Sequence, residues 1–186
     1  MYEKTTPVLR AFLEKDRSVL KEICLGDPAG YPSPVFADAM AEIYLFYYLD
    51  RESGHCFIAA DEDDRPAGYI LCCTDFARYK EALEKKFPSP SFGPGFAIAQ
   101  GTLAGLAPFA GEYPAHLHID LAPAFQGKGL GSALMRKLIA HLKACGIPGL
   151  MLNVAAENEG AVRFYRKNGF SMLSEGERLH AMGIRL

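Results

Sequence analysis

The sequence lacks several features that mark common protein classes. It has no tryptophan, and no apolar run approaches the ~20 residues that a membrane-spanning helix needs. Its first ten residues lack the basic and then apolar pattern of a signal peptide, so we expect a cytoplasmic protein without a membrane partner. Its 20 basic and 22 acidic residues nearly balance, so no broad positive field favours a nucleic-acid partner. An anionic ligand must therefore be held locally.

The cysteines exclude two further classes. They number five and include no C-x-x-C pair, which argues against both a disulfide framework and a zinc site. We therefore expect a reducing compartment and no metal. The 186 residues fit one domain, and the 49% of hydrophobic residues can supply its core. The prediction is a single domain over residues 1–186.

The apolar periodicity predicts a mixed α/β fold. Alternating or continuous apolar runs predict seven strands, at residues 8–12, 56–60, 67–73, 116–121, 150–154, 170–174 and 179–186. Helical spacing predicts helices near residues 19–24, 36–49, 76–87, 130–142 and 159–167. We expect Asp16 to cap the first of these helices, and Gly146 and Gly169 to end the last two.

The connection between the third and fourth strands is unusually long. It covers residues 75–114, and its length predicts a lid or an acceptor-site insertion. Residues 88–114 contain one charged residue, Glu112, and their many glycines predict no regular element there. Five aromatic side chains either line an acceptor pocket or pack this segment on the core: Phe87, Phe92, Phe96, Phe109 and Tyr113.

A glycine-rich turn, Gln126-Gly127-Lys128-Gly129-Leu130-Gly131, lies between the fourth strand and the next helix. Free backbone N–H groups and the helix dipole make such a turn an anion site, to which Lys128 adds a cation. The P-loop pattern fails because Lys128 is followed by glycine, and the G-x-G-x-G spacing is not that of a dinucleotide-binding fold. The glycines could also simply shape a tight turn.

Two segments together resemble a known family. The run Ile119-x-Leu121-x-Pro123-x-Phe125 with the glycine-rich turn resembles the acyl-CoA-binding motif of the GNAT superfamily of N-acetyltransferases. The segment Asn158-x-x-Ala161-x-x-Phe164-Tyr165-x-x-x-Gly169-Phe170 is similar to the family's companion motif. Residues 113–120 are similar to bacterial acetyltransferases related to the acetyltransferase-like domain of O-GlcNAc hydrolase. The resemblance implies an α/β (α+β) GNAT fold: a mixed, mostly antiparallel seven-stranded sheet with splayed fourth and fifth strands and flanking helices.

The resemblance also implies a function. We expect an acetyl-CoA-dependent N-acetyltransferase, a monomer or homodimer, in which the primary amine of a small molecule attacks the thioester directly. Acetyl-CoA is then the co-substrate, and the implied cofactor-binding residues are Ile119, Leu121, Gln126, Gly127, Lys128, Gly129, Gly131, Ser132 and Asn158. Tyr165 would protonate the departing thiolate as the general acid. Tyr165 could instead be a packing aromatic, and Asn158 is also a favoured helix cap.

The general base has three candidates on the fourth strand. His116, His118 and Asp120 share one face, because side chains alternate along a strand. Asp120 and His118 rank ahead of His116, and a β-bulge would change which face each takes. Two other functions remain: a non-catalytic acyl-CoA-binding domain, and protein acetylation, for which residues 88–114 offer no acidic groove.

Overall fold

The computed structural model describes residues 7–186. Its strands are β1 (Val8–Ala11), β2 (Phe57–Ala60), β3 (Pro66–Cys73), β4 (Ala115–Leu121), β5 (Gly149–Ala155), β6 (Ser171–Ser174) and β7 (Leu179–Arg185). Its α-helices are α1 (Arg17–Leu25), α2 (Pro34–Ala41), α3 (Tyr47–Arg51), α4 (Phe76–Lys86), α5 (Pro94–Leu106), α6 (Leu130–Ala144) and α7 (Glu159–Lys167). Within these residues, no helix combines the length and the apolar character needed to cross a membrane.

The strands form one mixed sheet in the order β1-β2-β3-β4-β5-β7-β6. β4 and β5 are parallel and pair through Ala115 with Leu150 and His116 with Met151. Antiparallel pairing joins β1 to β2, β2 to β3, β5 to β7 and β6 to β7. The predicted seven-stranded mixed sheet is confirmed, and two residue pairs between seven-residue strands agree with the predicted splay.

The chain divides into two compact units. Of the described residues, the first unit contains 7–72 and 118–138, and the second contains 73–117 and 139–186. β3, β4 and α6 each contribute residues to both units. The prediction of a single domain stays a prediction.

The first unit has β2 and β3 at its centre, and every residue of both strands is buried. Gly68 on β3 is essential to its packing, because an added Cβ would lie 2.2 Å from Leu121 Cδ2 and 2.8 Å from the Asp120 carbonyl oxygen. The backbone N–H of Ala122 also donates to the Ala67 carbonyl oxygen at 2.9 Å. The last residues of β4 are therefore held directly against β3.

The second helix of the sequence prediction is interrupted by a π-helical turn. α2 continues through the π-helix Glu42–Phe46 into α3. The inserted turn changes which side chains face inward: Leu45 and Tyr48 are buried, whereas Tyr44 and Tyr47 are only half-buried. π-Helical turns occur often at functional sites, and this one positions Tyr44.

Asp16 occupies the predicted N-cap position of α1, but its side chain makes no capping hydrogen bond to that helix. A short 3₁₀ turn precedes the helix, and the buried Asp16 carboxylate accepts the Leu13 N–H at 2.9 Å and two Arg10 N–H groups at 2.6 and 2.8 Å. A buried carboxylate beside an arginine gains more from that ion pair than from a cap.

The expectation that residues 88–114 form no regular element is wrong, because α5 spans thirteen of them. Its glycines permit close contacts rather than breaking the helix. An added Cβ at Gly95 would lie 2.4 Å from the Phe87 ring, and one at Gly105 would lie 2.5 Å from Asn153 Oδ1. Tertiary packing on β5 and β7 thus outweighs the low helix propensity of glycine.

The predictions for α6 and α7 are confirmed. α6 buries Leu130, Leu134, Leu138 and Leu142 along one stripe, together with Met135. Gly146 and Gly169 follow α6 and α7 with φ of 70° and 92°, the left-handed conformation that ends a helix.

Candidate active site

The end of β4 brings two of the three base candidates into contact. His118 Nε2 lies 2.8 Å from Asp120 Oδ2, since alternate residues of a strand share a face. The Tyr69 hydroxyl on β3 donates to the same Asp120 oxygen at 2.6 Å. The side chains of His118 and Asp120 retain 27% and 36% exposure, so the pair is open to a ligand.

Three more side chains enclose the pair. The Tyr44 ring from the π-helical turn lies 5.2 Å from the His118 ring, and the Tyr69 ring lies 6.0 Å from it. The sulfur of Cys24 on α1 lies within 4.8 Å of donor atoms of both His118 and Asp120. We call Cys24, Tyr44, Tyr69, His118 and Asp120 the Asp120 cluster.

The Asp120 cluster holds His118 in its charged form. Burial disfavours the imidazolium, but the Asp120 carboxylate, its hydrogen bond and Cys24 outweigh burial and raise the pKa of His118 to about 10. Burial and the same carboxylate raise the pKa of Tyr69, whose hydroxyl therefore stays a donor. At neutral pH His118 therefore already carries its proton.

His116 has a different environment from His118. It is 1% exposed, and its ring lies 4.3 Å from Tyr79 and 6.0 Å from Phe76 on α4. Burial lowers the pKa of His116 to about 3, so the imidazole is neutral at physiological pH. This is the residue ranked last among the candidate bases.

The glycine-rich turn has the geometry of a helix N-terminal anion site. Gly127 and Gly129 have φ of 71° and 81°, which only glycine adopts readily, and no atom would obstruct a Cβ at either position. The Ala133 N–H makes the first helical bond, to the Gly129 carbonyl oxygen at 3.1 Å. In the described chain no backbone acceptor meets the N–H groups of residues 129–132, including those of Gly131 and Ser132.

Two side chains of the turn bond to the backbone that precedes it. Gln126 Nε2 donates to the Leu121 carbonyl oxygen at 2.9 Å. Lys128 Nζ donates to the Ala124 carbonyl oxygen and lies 5.5 Å from the centre of the Phe125 ring. The ammonium of Lys128 is therefore folded over the turn, although the residue is exposed and can swing to an anion.

The two candidates from the second motif lie in the second unit. Asn158 caps α7, because its Oδ1 accepts the Ala161 N–H at 2.9 Å. Tyr165 is 8% exposed and packs edge-on against Phe164 and Phe170, with ring centres 5.2 and 5.7 Å away. The capping and packing roles are thus observed, while the cofactor and acid roles stay predictions.

The aromatic residues in and beside the long connection divide into two groups. Phe87 packs against Gly95, and Tyr113 packs against Gly149 and Gly183. Phe92 is 49% exposed, and Phe96 and Phe109 are half-buried. The core-packing interpretation fits Phe87 and Tyr113, and the pocket interpretation stays a prediction for the others.

Sequence reasoning missed three members of the Asp120 cluster. The hydroxyl of Tyr69 on a fully buried strand was a usable signal, since a buried tyrosine hydroxyl needs a partner. Cys24 and Tyr44 gave no such signal, because α1 and the π-helical turn approach β4 only through the tertiary fold.

Comparison with known proteins identifies relatives of this chain. The sequence model of the acetyltransferase (GNAT) family matches residues 21–170. A mycothiol acetyltransferase of Nocardiopsis dassonvillei is 43% identical over 184 residues, which cover 86% of this chain and 54% of that protein. This chain therefore spans about half the length of that relative.

Solved structures share the fold. The crystal structure of SsHAT has a TM-score of 0.84 and 23% identity, covering 97% of this chain and 98% of that one. The PaiA N-acetyltransferase of Thermoplasma acidophilum, in complex with coenzyme A, has a TM-score of 0.64 and 18% identity, covering 98% and 100%. At these identities the likeness shows the fold alone. The narrower resemblance to the domain of O-GlcNAc hydrolase stays a prediction.

Proposed function

Since this chain belongs to the GNAT acetyltransferase family, we propose that it transfers an acetyl group from acetyl-CoA to a primary amine of a small molecule. The observation that supports this most is the His118–Asp120 pair at the end of β4. It lies in the same compact unit as the glycine-rich turn. A proton acceptor and an anion site are the two elements that direct acyl transfer from a thioester of CoA requires.

Asp120 is the proposed proton acceptor. The acceptor amine arrives as an ammonium ion, which must lose one proton before its nitrogen can attack the thioester carbonyl carbon. His118 is already protonated at neutral pH and cannot take that proton. Asp120 Oδ2 accepts the Tyr69 hydroxyl and forms the ion pair with His118. In the described chain no hydrogen bond engages Oδ1. Oδ1 is therefore the proposed acceptor of the proton.

The remaining steps complete the proton balance. Attack forms the new N–C bond and an oxyanion on the former carbonyl oxygen, which a backbone N–H of β4 would stabilise. The C–S bond then breaks, and the CoA thiolate leaves with its electron pair and takes a proton from Tyr165, the proposed donor. The second proton that the nitrogen loses as the amide forms replaces the proton of Tyr165, and Asp120 releases its proton to solvent.

The N-terminus of α6 is the proposed site for the pyrophosphate. Its free N–H groups at residues 129–132 and the helix dipole attract an anion without a basic surface. Gln126, Gly127, Lys128, Gly129, Gly131 and Ser132 would form this site, with Ile119 and Leu121 of β4 and Asn158 along the pantetheine arm. The coenzyme A bound by the solved relative supports this choice of co-substrate.

The Asp120 cluster suits a cationic acceptor. The Asp120 carboxylate attracts an ammonium group through its charge. The rings of Tyr44 and Tyr69, which lie beside His118, offer aromatic faces for a cation–π interaction. The name of the mycothiol acetyltransferase supports a small-molecule acceptor over a protein. The experiment below distinguishes this function from that of a non-catalytic acyl-CoA-binding domain.

The first experiment is to measure acetyl-CoA binding by calorimetry and acetylated products by mass spectrometry against a panel of primary amines. We expect binding and turnover of at least one cationic small amine. Binding without any acetylated product would favour the non-catalytic acyl-CoA-binding domain. No binding would contradict both functions, together with the role of the glycine-rich turn.

Tyr165→Phe tests the proposed acid. It keeps the ring that packs against Phe164 and Phe170, so folding and acetyl-CoA affinity should be unchanged. We expect kcat to fall by about 100-fold, within the usual range for a lost general acid. A variant with full turnover would leave Tyr165 as a packing residue only.

A further inference from the structure

The Asp120 cluster contains a third donor that acetyl transfer does not use. Cys24 supplies a sulfur, His118 a ring nitrogen and Asp120 a carboxylate oxygen, and these three atoms all lie within 4.8 Å of one another. Cys24 belongs to α1, whereas the other two residues belong to β4. We propose that Cys24, His118 and Asp120 form a zinc-binding site that competes with catalysis.

The chemistry of the donors selects the cation. A thiolate with an imidazole suits Zn²⁺, and a carboxylate is a common third ligand. Magnesium and calcium prefer sites made only of oxygen, so a cysteine and a histidine argue against both. Three protein ligands leave a fourth position for water, as in open zinc sites.

The distances require only a small rearrangement. Zinc ligands lie about 2.0–2.3 Å from the metal, so tetrahedral neighbours are roughly 3.3–3.8 Å apart. Since the donor atoms are at most 4.8 Å apart, each pair must approach by no more than about 1.5 Å to bind zinc. Side-chain rotation can supply that movement. The direct bond of 2.8 Å between His118 and Asp120 must open to admit the ion. Zinc then displaces the thiol proton and the proton of the coordinating ring nitrogen, and both leave to solvent.

The surroundings suit a bound ion. The Tyr69 hydroxyl holds the Asp120 carboxylate at 2.6 Å, and such outer-shell hydrogen bonds orient the ligands of metal sites. Cys24, His118 and Asp120 are each partly exposed, so the cation can enter from solvent. Cysteine spacing in the sequence could not reveal this site, because its donors come from two distant elements.

A zinc ion here would inhibit the proposed acetyl transfer. Coordination occupies the carboxylate that must accept the proton of the amine, and it places a positive charge where the ammonium would lie. This consequence depends on the proposed function, whereas zinc binding itself does not.

The binding test uses the metal alone with the full chain. Cys145 is exposed and its sulfur lies 3.8 Å from His141, so all variants are made in a Cys145→Ser background to remove a competing thiol. Chelator-treated protein is titrated with Zn²⁺ by calorimetry and with Co²⁺ by absorption. We expect one equivalent to bind, with a thiolate-to-cobalt charge-transfer band.

Cys24→Ala and the isosteric Cys24→Ser should abolish that band and weaken zinc binding more than Tyr69→Phe does. The loss of an outer-shell partner such as Tyr69 costs ~10- to 100-fold in affinity. Unchanged binding in both Cys24 variants, or a cobalt spectrum without the thiolate band, would overturn the proposal. The unfolding transition of each Cys24 variant shows whether it folds. If one of the two misfolds, the other carries the test.

The inhibition test follows acetylated amine by mass spectrometry, since zinc also binds the thiol of free CoA. Zinc should inhibit the Cys145→Ser protein and have little effect once Cys24 is also replaced. Equal inhibition of both would contradict the assigned site. If the protein acetylates no amine, the titrations above still decide whether zinc binds, so the two proposals fail separately.

Discussion

Two histidines on one strand show how far the environment sets the chemistry of a side chain. His116 and His118 are two residues apart on β4, yet the pKa of the first is lowered to about 3 and that of the second is raised to about 10. Aromatic rings surround His116 and offer no charge, so burial alone acts on it. His118 faces Asp120, whose carboxylate outweighs the cost of burial. The same strand therefore carries a neutral imidazole at His116 and a charged one at His118.

Asp120→Asn should cause the largest change in the difference between the pKa values of His116 and His118. In the wild type, an NMR titration should find the pKa of His118 near 10 and that of His116 near 3. Without the carboxylate, burial meets little opposition, so the pKa of His118 should fall far below 10 while that of His116 stays unchanged. A pKa that remains near 10 in the variant would assign the raised value to Cys24 instead.

The pH dependence of stability should also separate the two histidines. The unfolded value is about 6.5 for both. Because His118 is raised to about 10, its contribution is fully present below pH 6.5 and is lost as the pH rises through about 10. Because His116 is lowered to about 3, its contribution is present above pH 6.5 and is lost as the pH falls toward 3.

Urea unfolding of His118→Gln and His116→Phe between about pH 3 and pH 10 measures the contribution of each histidine to stability. His118→Gln should lose most stability relative to wild type below pH 6.5, with the difference shrinking toward pH 10. His116→Phe should lose less stability than the wild type as the pH falls toward 3, because phenylalanine cannot take up a proton. His141→Gln, on the half-buried side of α6, is the control. Parallel pH curves for wild type and both variants would show that neither pKa is shifted as described.

The smallest effect should come from Tyr69→Phe. It removes one hydrogen bond to Asp120 and keeps the ring beside His118. We expect the free energy of unfolding to fall by about 1 kcal/mol. If the same hydrogen bond is lost in the transition state, kcat/KM should fall roughly fivefold. Tyr47→Phe, on α3, is the matched control. A loss as large as that of Asp120→Asn would show that Tyr69 does more than position the carboxylate.

Much of the fold followed from local patterns in the sequence. The seven strands, the leucine stripe of α6 and the glycines after α6 and α7 all depend on neighbours along the chain, and the structure agrees. α5 was missed because glycine disfavours helices in isolation, whereas Gly95 and Gly105 are needed where Phe87 and Asn153 approach. The π-helical turn was missed because the apolar residues within 36–49 also fit the spacing of one regular α-helix.

The site was only partly predictable for a related reason. Alternation along β4 placed His118 and Asp120 on one face, and their contact confirms that placement. The opposite environments of His116 and His118 depend on α4, β3 and the π-helical turn, which no local pattern brings to β4. The same holds for Cys24 on α1, so the donors proposed for zinc could be recognised only in the folded chain.

The central claim is that Asp120 accepts the proton of the amine during acetyl transfer. Its most direct test is kcat/KM for the amine that the wild type acetylates best, measured for Asp120→Asn beside Asp63→Asn, a change to an exposed carboxylate of the β2–β3 turn. We predict a fall on the order of 100- to 10,000-fold for Asp120→Asn, with unchanged acetyl-CoA affinity, and wild-type kinetics for Asp63→Asn. Full activity of Asp120→Asn, with folding and acetyl-CoA binding intact, would contradict the account.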